Sequence, residues 1–267
     1  MSRPSSVAPE TRRAAGGRLR RLVIQAGKHT LRKVGDFQAR HSLVGTTPVL
    51  AADRFPWVGD LEGSWRHIRA ELDTVMVRPE DIPAFHQVSP DQHRISKGDN
   101  WKTFAFYVYG NRVDDNCLRC PATAALLDRL EGLQNAWFSI LAPRYHIPPH
   151  RGPTRAVIRC HLGLRVPADR ERCWLRVDNE IRHWEEGRCL IFDDTYEHEV
   201  KNDTDEVRVV LFLDFDRPMD LPGRLLNRLV IGAIRTSAYV KDPLANLAAW
   251  NARPRGTGKP PEDASGG

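Results

Sequence analysis

The sequence contains no uninterrupted hydrophobic run of the roughly 20 residues that a transmembrane helix requires. Its N-terminus also lacks the pattern of a secretory signal, because arginines break up the short apolar stretches there. Cysteine is scarce: five residues, an odd number, are scattered through a chain of 267, which does not fit the disulfide framework of a secreted protein. These absences predict a cytoplasmic protein that needs no disulfide.

A second Cys-x-x-Cys pair is also missing. Cys117 and Cys120 form one such pair, but a structural zinc ion would need another pair of ligands at similar spacing. The two thiols are therefore expected to be reduced, and a redox pair or a local disulfide is the alternative.

Acidic residues are nearly absent from residues 1–50, which hold ten Lys and Arg against two Asp and Glu. This segment contributes +8 whereas the whole chain carries +6, so the remaining residues sum to −2. We predict a basic, partly disordered N-terminal arm with a short helix over 18–34. Such a helix suits peripheral contact with an anionic membrane, on its inner face for a cytoplasmic protein, and a solvated helix is the alternative. Nucleic-acid binding is not expected, because the arm's only aromatic residue is Phe37 and no recognition motif is present.

Hydrophobic periodicity changes along the rest of the chain. Apolar residues recur at helical spacing over 58–76, beginning with Leu61 and Trp65, and predict one amphipathic helix. Short strand signals with short connections dominate 136–216, which is typical of a β-sandwich or a jelly roll. The sequence therefore predicts a mainly β fold with flanking helices.

Three regions follow from this organisation. The N-terminal arm covers 1–50, the β domain covers 51–216, and a C-terminal helical segment with a disordered tail covers 217–267. Within the last region, the pattern predicts a helix over 224–235 and a break at Pro243.

Two strands carry charged residues among bulky ones. In AVIRCHLGL, a period of two places Arg159 and His161 on one face of the strand and only apolar residues on the other. In VRVVLFLDF, Arg208 and Asp214 likewise share a face. A buried unpaired arginine is costly, so each guanidinium needs an anionic partner, either an acid of the protein or a ligand carboxylate.

Two histidines suggest a metal site that lacks one ligand. His150 lies in PPHRGPT, and His198 lies 48 residues later in DDTYEHEV. A mononuclear iron oxygenase usually takes a carboxylate two residues after its first histidine, but Gly152 stands there. If a hairpin places His198 and Arg208 on one face, its loop needs an odd number of residues, as a loop over 202–204 would have, or a β-bulge must supply the offset.

Residues 137–216 carry a resemblance to a known family. The runs SILAPRYHIPPHRGPTRAVIRCHLGL and WEEGRCLIFDDTYEHEVKNDTDEVRVVLFLDF resemble the aspartyl/asparaginyl β-hydroxylases. This resemblance implies a double-stranded β-helix of cupin-like (jelly-roll) type. It also implies an Fe(II)- and 2-oxoglutarate-dependent dioxygenase, which uses dioxygen to hydroxylate an unactivated carbon and converts 2-oxoglutarate to succinate and carbon dioxide. The likeness extends to about residue 51 and does not cover the arm or the tail.

Carried over by position, the resemblance implies that His150 and His198 bind the iron. Animal members of this family have the same glycine at the position of Gly152 and hold the metal with two histidines and water. Other 2-oxoglutarate enzymes fill such an open position with halide, so halogenation is an alternative to hydroxylation. Asp193 and Asp194 are expected to act at the strand end or in the turn rather than as a replacement ligand.

The same resemblance implies a co-substrate site. Arg208 and Ser139 would bind the distal carboxylate of 2-oxoglutarate, the guanidinium in a bidentate manner. Arg159 and His161 would lie near the carboxylate that chelates iron. The co-substrate would then be the anionic partner of both arginines.

The substrate is less well determined by these residues. Gly152 favours the β-carbon of an Asp or Asn residue in a peptide or protein, or a related amino acid, because lipid-hydroxylating bacterial relatives carry aspartate there. Animal members have a further arginine at the position of Val157, so Arg151 or Arg155 would have to recognise an acidic substrate. The alternatives are hydroxylation of a lipid acyl chain at a membrane and, outside enzymes, a jelly-roll binding protein without turnover.

Overall fold

Two antiparallel β-sheets face each other in the computed structural model, which describes residues 33–254. The larger sheet has seven strands in the order β1-β9-β6-β11-β4-β2-β3, and the smaller has four in the order β5-β10-β7-β8. The strands are β1 (Val49–Leu50), β2 (Trp101–Val108), β3 (Asn111–Arg112), β4 (Leu133–Leu141), β5 (Tyr145–His150), β6 (Val157–Arg165), β7 (Cys173–Val177), β8 (Glu180–Arg182), β9 (Cys189–Phe192), β10 (His198–Asn202) and β11 (Arg208–Asp216). The prediction of a mainly β, double-stranded β-helix fold is confirmed.

Helices flank the sheets on the outside. Residues 33–40 are helical and are labelled α1. The others are α2 (Val58–Val75), α3 (Phe85–Val88), α4 (Asp114–Arg119), α5 (Pro121–Leu127), α6 (Leu221–Thr236) and α7 (Ala238–Asn251). None of the helices within 33–254 combines the length and the apolar character needed to cross a membrane.

The larger sheet is buried on both faces, which explains its nearly continuous apolar strands. Its outer face packs under α2 and α5. The helix predicted over 58–76 is confirmed as α2, and its apolar stripe, including Leu61, Ile68 and Leu72, is buried there. The apolar face predicted for the strand at 156–164 joins this core through Ile158 and Leu162. Its other face looks into the space between the sheets.

The inner face of the larger sheet is built in rows across its three central strands. One row aligns Asn135, Asp214 and Arg159 on β4, β11 and β6. The next row aligns Trp137, Phe212 and His161. Because side chains alternate along each strand, these rows point to the same side and bring charged groups together between the sheets.

The hairpin predicted between β10 and β11 is wrong. β10 pairs with β5 and β7 in the smaller sheet, whereas β11 pairs with β4 and β6 in the larger one. The segment 203–207 therefore crosses from one sheet to the other, as consecutive strands do in a jelly roll. His198 and Arg208 lie on opposing sheets rather than on one face, so the rule for the parity of a hairpin loop does not apply to them.

The described part of the N-terminal region packs on the domain. Val49 in β1 pairs with Phe192 in β9, and the amide of Gln38 donates to Asn227 at 2.9 Å. The boundary predicted at residue 50 therefore falls inside the fold. Residues 1–32, which include most of the helix predicted over 18–34, and the tail residues 255–267 lie outside the described part of the chain.

The C-terminal helices are also joined to the β domain. Arg217 forms a fully buried ion pair with Asp193, which lies directly after β9. The helix predicted over 224–235 is confirmed as α6. The break predicted at Pro243 is wrong, because Pro243 lies inside α7. Proline removes one hydrogen bond of a helix, but the buried face formed with Val240 and Leu247 holds the two turns together.

The Cys-x-x-Cys pair is reduced in the structure. Cys117 and Cys120 are free and buried. Burial raises the pKa of Cys117 to about 11 and that of Cys120 to about 12, so neither thiol ionises near neutral pH.

Candidate active site

Strand register brings the two candidate metal ligands together. His150 ends β5 and His198 begins β10, and the two residues are directly paired in the smaller sheet. Their ring centroids are 4.1 Å apart. The Nδ1 atom of His150 is 2.8 Å from the carbonyl oxygen of Pro148, and that of His198 is 3.0 Å from the carbonyl oxygen of Tyr196. A proton on each Nδ1 donates to the carbonyl and leaves Nε2 with a lone pair.

Both rings are neutral at physiological pH. Burial lowers the pKa of His150 to about 4 and the pKa of His198 to about 2, and the neighbouring imidazole and Arg159 act in the same direction on His198. A neutral imidazole with Nδ1 held by a backbone carbonyl is the form in which histidine binds a divalent metal. The pair therefore fits a metal ion.

No third protein ligand accompanies this pair in the described part of the chain. Within residues 33–254, no three side chains of His, Cys, Asp or Glu converge closely enough to hold a metal ion. A Cβ built at Gly152 would overlap the carboxylate of Asp194, which occupies the space beside this glycine. Asp194 therefore takes the volume that a side chain at 152 would need, and this excludes a carboxylate ligand from that position.

We expect Gly152→Ala to destabilise the fold. The new Cβ would displace the buried Asp194, and overpacking of this kind lowers the free energy of unfolding by about 1–3 kcal/mol. Gly63→Ala in α2 is the matched control, because a Cβ there meets no atom within 4 Å and alanine favours a helix. Urea denaturation of the two variants measures the difference, and equal stability would show that Asp194 moves aside freely.

Arg208 lacks an anionic partner among the described residues. Its side chain is fully buried between the sheets. Its Nη1 donates a 3.4 Å hydrogen bond to the carbonyl oxygen of Ser139, and the guanidinium lies 4.7 Å from the ring centroid of Trp184. Its Nε has no hydrogen-bond partner in this part of the chain. Burial lowers the pKa of Arg208 to about 10, so the guanidinium is still charged at neutral pH. Such a group can bind the carboxylate of a ligand.

Ser139 and His161 lie around the same interior space. The hydroxyl of Ser139 accepts a hydrogen bond from the indole of Trp101 at 3.0 Å. His161 is buried beside Trp184, and its Nε2 has no hydrogen-bond partner among the described residues. Burial and the nearby cations, Arg208 first, keep the pKa of His161 well below its usual value. A neutral ring and an unpaired cation thus share this space.

The expectation that a co-substrate neutralises both arginines needs correction at Arg159. Its guanidinium contacts the carboxylates of Asp194 and Asp214, each at 2.9 Å. Burial opposes the charge of Arg159, but these two acids raise its pKa. Asp214 also accepts a hydrogen bond from Asn135 at 2.9 Å. Arg159 therefore has protein partners, because the row that aligns it with Asp214 supplies the acid directly.

A cavity with a mainly apolar wall opens beside His150. Counted with its open mouth, it has a volume of about 1150 Å³. Its apolar wall comes from β2, β4, β11, α3 and α7, with the side chains Phe85, Val88, Trp101, Ala105, Trp137, Phe212, Tyr239 and Pro243. The Arg159–Asp194–Asp214 cluster lines it as well, together with the exposed Arg94 and Arg151. The cavity therefore combines a mainly apolar wall with several charged side chains.

Several residues of the site were missed by sequence reasoning. Asp193 has the expected turn role, because it accepts hydrogen bonds from the backbone and hydroxyl of Thr195. Asp194 instead points to the cavity and pairs with Arg159. The pairing of Asp194 with Arg159 could not be predicted from the sequence, because no helical or strand repeat relates the two positions. Asp214 could have been found, since period two already placed it on the inner face. Arg155, one of two candidates for recognising a substrate acid, does not line the cavity, whereas Arg151 does.

The chain is similar in sequence to known hydroxylases. The model of the aspartyl/asparaginyl β-hydroxylase family matches residues 62–218. The chain is 41% identical over 211 residues to the ornithine lipid ester-linked acyl 2-hydroxylase of Rhizobium tropici, covering 79% of this chain and 75% of that protein. It is 37% identical over 166 residues to the aspartyl/asparaginyl β-hydroxylase of Mus musculus, covering 60% of this chain and 22% of that protein. Among solved structures, the Schizosaccharomyces pombe Cnp3 cupin domain aligns with a TM-score of 0.30 at 9% identity, over 44% of this chain and 65% of that domain.

Proposed function

The chain belongs to the aspartyl/asparaginyl β-hydroxylase family, and from this premise we propose that it is an Fe(II)- and 2-oxoglutarate-dependent hydroxylase of a lipid acyl chain. The observation that carries the choice of substrate is the apolar wall of the cavity beside His150. The likeness to an acyl 2-hydroxylase over most of both chains supports the same choice. An Asp or Asn residue, the substrate that the sequence alone favours, becomes the alternative.

His150 and His198 would hold the iron through Nε2, because their Nδ1 atoms are held by backbone carbonyls. With 2-oxoglutarate bound, the iron would supply the dioxygen chemistry that oxidises an unactivated carbon. The protein contributes neutral ligands at neutral pH, since burial keeps both rings unprotonated.

Arg208 and Ser139 would bind the distal carboxylate of 2-oxoglutarate. The buried guanidinium of Arg208 has no anionic partner within 33–254. A ligand carboxylate would supply that partner and would accept charge-assisted hydrogen bonds from it. His161, whose Nε2 also has no partner there, would lie beside the same co-substrate. Arg159 would not be the main ionic partner of the co-substrate, because Asp194 and Asp214 already balance its charge.

The cavity would bind and orient the acyl chain. Its aromatic and aliphatic wall would exclude water from the reacting carbon, which limits turnover without substrate. The exposed Arg94 and Arg151 at the cavity would attract an anionic group of the lipid headgroup. A lipid substrate implies that the protein acts at a membrane surface, from the cytoplasmic side if it remains in the cytoplasm.

Gly152 supports an alternative function, hydroxylation of the β-carbon of an Asp or Asn residue. The animal members that hydroxylate such residues have glycine at this position, and Asp194 leaves no room for another side chain here. In this alternative, Arg151 would bind the carboxylate of the substrate residue.

Product analysis distinguishes the two substrates. Protein loaded anaerobically with Fe(II) and 2-oxoglutarate should develop the weak visible charge-transfer band of the chelate. Admission of oxygen in the presence of detergent-dispersed amino-acid lipids should then yield succinate and a lipid whose acyl chain has gained one oxygen atom by mass. Hydroxylation of Asp- or Asn-containing peptides with no lipid product would overturn the acyl-chain proposal. Absence of the band would favour the binding protein without turnover.

A further inference from the structure

The exposed face of α6 carries a row of leucines. Leu221, Leu225 and Leu229 recur every four residues and therefore form one stripe along the helix. Their exposed fractions are 60%, 54% and 73%. Single exposed leucines are normal on a soluble protein, but a continuous apolar stripe marks a site of interaction.

Arginines run beside this stripe. Arg224 and Arg228 follow Leu221 and Leu225 by three residues each, which puts both on the same side of the leucines. Neither guanidinium has a side-chain hydrogen bond or an ion pair with another described residue, although Asp220 interacts electrostatically with Arg224, and Asp216 with Arg228. Arg235 extends the row, although it donates a hydrogen bond to Gln134. The 16 residues of α6 include no acid, so the helix itself contributes only positive charge beside the leucines.

We propose that this face of α6 docks the protein on an anionic phospholipid bilayer. The leucines would enter the boundary between headgroups and acyl chains, and the arginines would pair with lipid phosphates. The inference deepens the proposed function, on which it rests for the presence of a lipid substrate, by naming the surface through which the protein reaches it.

The positive charge of this face disfavours two other binding partners, a second copy of the protein and the N-terminal segment 1–32. A second copy of α6 packed on the stripe would bring the arginine rows of both copies together, with no acid in either helix to compensate them. The segment 1–32 holds eight Lys and Arg and one acid, so it has the wrong sign to cover the face. An anionic membrane has the complementary charge.

The position of α6 in the chain links it to the cavity. Ser237 alone separates α6 from α7. Tyr239 and Pro243 of α7 line the cavity beside His150, and the two helices pack on each other. A membrane-bound α6 would therefore hold the helix that forms part of the wall of the acyl-chain cavity.

Vesicle sedimentation of the full-length protein tests the proposal. The vesicles contain phosphatidylcholine alone or phosphatidylcholine mixed with phosphatidylglycerol. Two variants alter the face: Leu221→Ser/Leu225→Ser/Leu229→Ser and Arg224→Gln/Arg228→Gln. The controls change exposed residues elsewhere on the surface: Val77→Ser/Leu118→Ser/Ile181→Ser and Arg129→Gln/Arg182→Gln. All variants retain the basic N-terminal arm, so a difference between them reports on α6.

Both α6 variants should bind the anionic vesicles roughly tenfold or more weakly than the unchanged protein, while both controls stay within about twofold of it. Anionic binding as tight as that of the unchanged protein in both α6 variants would overturn the proposal. So would a dimer in vesicle-free solution that the leucine variant converts to a monomer, since the stripe would then be a subunit interface. Hydroxylation of detergent-dispersed lipid is measured in parallel. Vesicle binding that depends on α6 but is not accompanied by any lipid product would contradict the proposed function and would still support α6 as the docking surface.

Discussion

Replacing His150 or His198 with alanine is expected to abolish Fe(II)-dependent turnover. The two rings lie 4.1 Å apart and would be the only protein ligands of the metal. Loss of groups that merely orient a metal ligand lowers affinity or activity by about 10–100-fold, so loss of one of two ligands should lower iron affinity more than roughly 100-fold. Fe(II) titration, the charge-transfer band with 2-oxoglutarate and succinate formation measure this effect.

His146 provides the control for this experiment. It lies in the same strand as His150, but its side chain is exposed and pairs with Glu199 at 2.6 Å. Exposed pairs contribute about 0–1 kcal/mol to stability, so His146→Ala should keep the fold, the iron affinity and the turnover. Wild-type iron affinity in His150→Ala and His198→Ala, with both proteins folded by circular dichroism, would contradict the assignment of the metal site.

Replacing the two buried arginines with methionine should change stability in opposite directions. Arg159→Met would leave the buried carboxylates of Asp194 and Asp214 without their cation, which should lower the free energy of unfolding by about 3–5 kcal/mol. Arg208→Met removes a buried cation that has no anionic partner among the described residues. We expect this change to raise the free energy of unfolding by about 1–2 kcal/mol in the absence of 2-oxoglutarate.

Binding of the co-substrate should show the function of Arg208. Its side chain would make charge-assisted hydrogen bonds to the distal carboxylate, and loss of one member of a buried charged pair costs about 2–5 kcal/mol, or roughly 30-fold or more in affinity. Calorimetric titration of 2-oxoglutarate into Arg208→Met measures this effect, and thermal unfolding measures the stability. A variant that is more stable and binds 2-oxoglutarate as tightly as the unchanged protein would remove Arg208 from the co-substrate site.

The contrast between these arginines explains a limit of the sequence analysis. Period two correctly placed Arg159 and Arg208 on the inner faces of their strands. It also indicated that each would need an anion. Whether the anion is an acid of the protein depends on which strands are neighbours, and the pairing of β6 with β11 sets Asp214 opposite Arg159. No comparable acid is set opposite Arg208.

The sequence by itself determined the local properties of this protein. Its periodicity predicted helix α2, the mainly β architecture, the apolar outer face of β6 and the charged inner one. These features depend on 3.6- and 2-residue repeats, which are properties of neighbouring residues. The family resemblance on residues 137–216 predicted which histidines would be paired.

Only the tertiary structure decided how distant residues meet. In the folded protein His150 pairs with His198, β10 and β11 belong to different sheets, and the carboxylate of Asp194 lies against Gly152. The tertiary structure also forms the apolar cavity from β2, β4, β11, α3 and α7. These arrangements follow from long-range strand pairing and helix packing, in which each contact depends on the simultaneous burial of many others, and no local repeat in the chain encodes them.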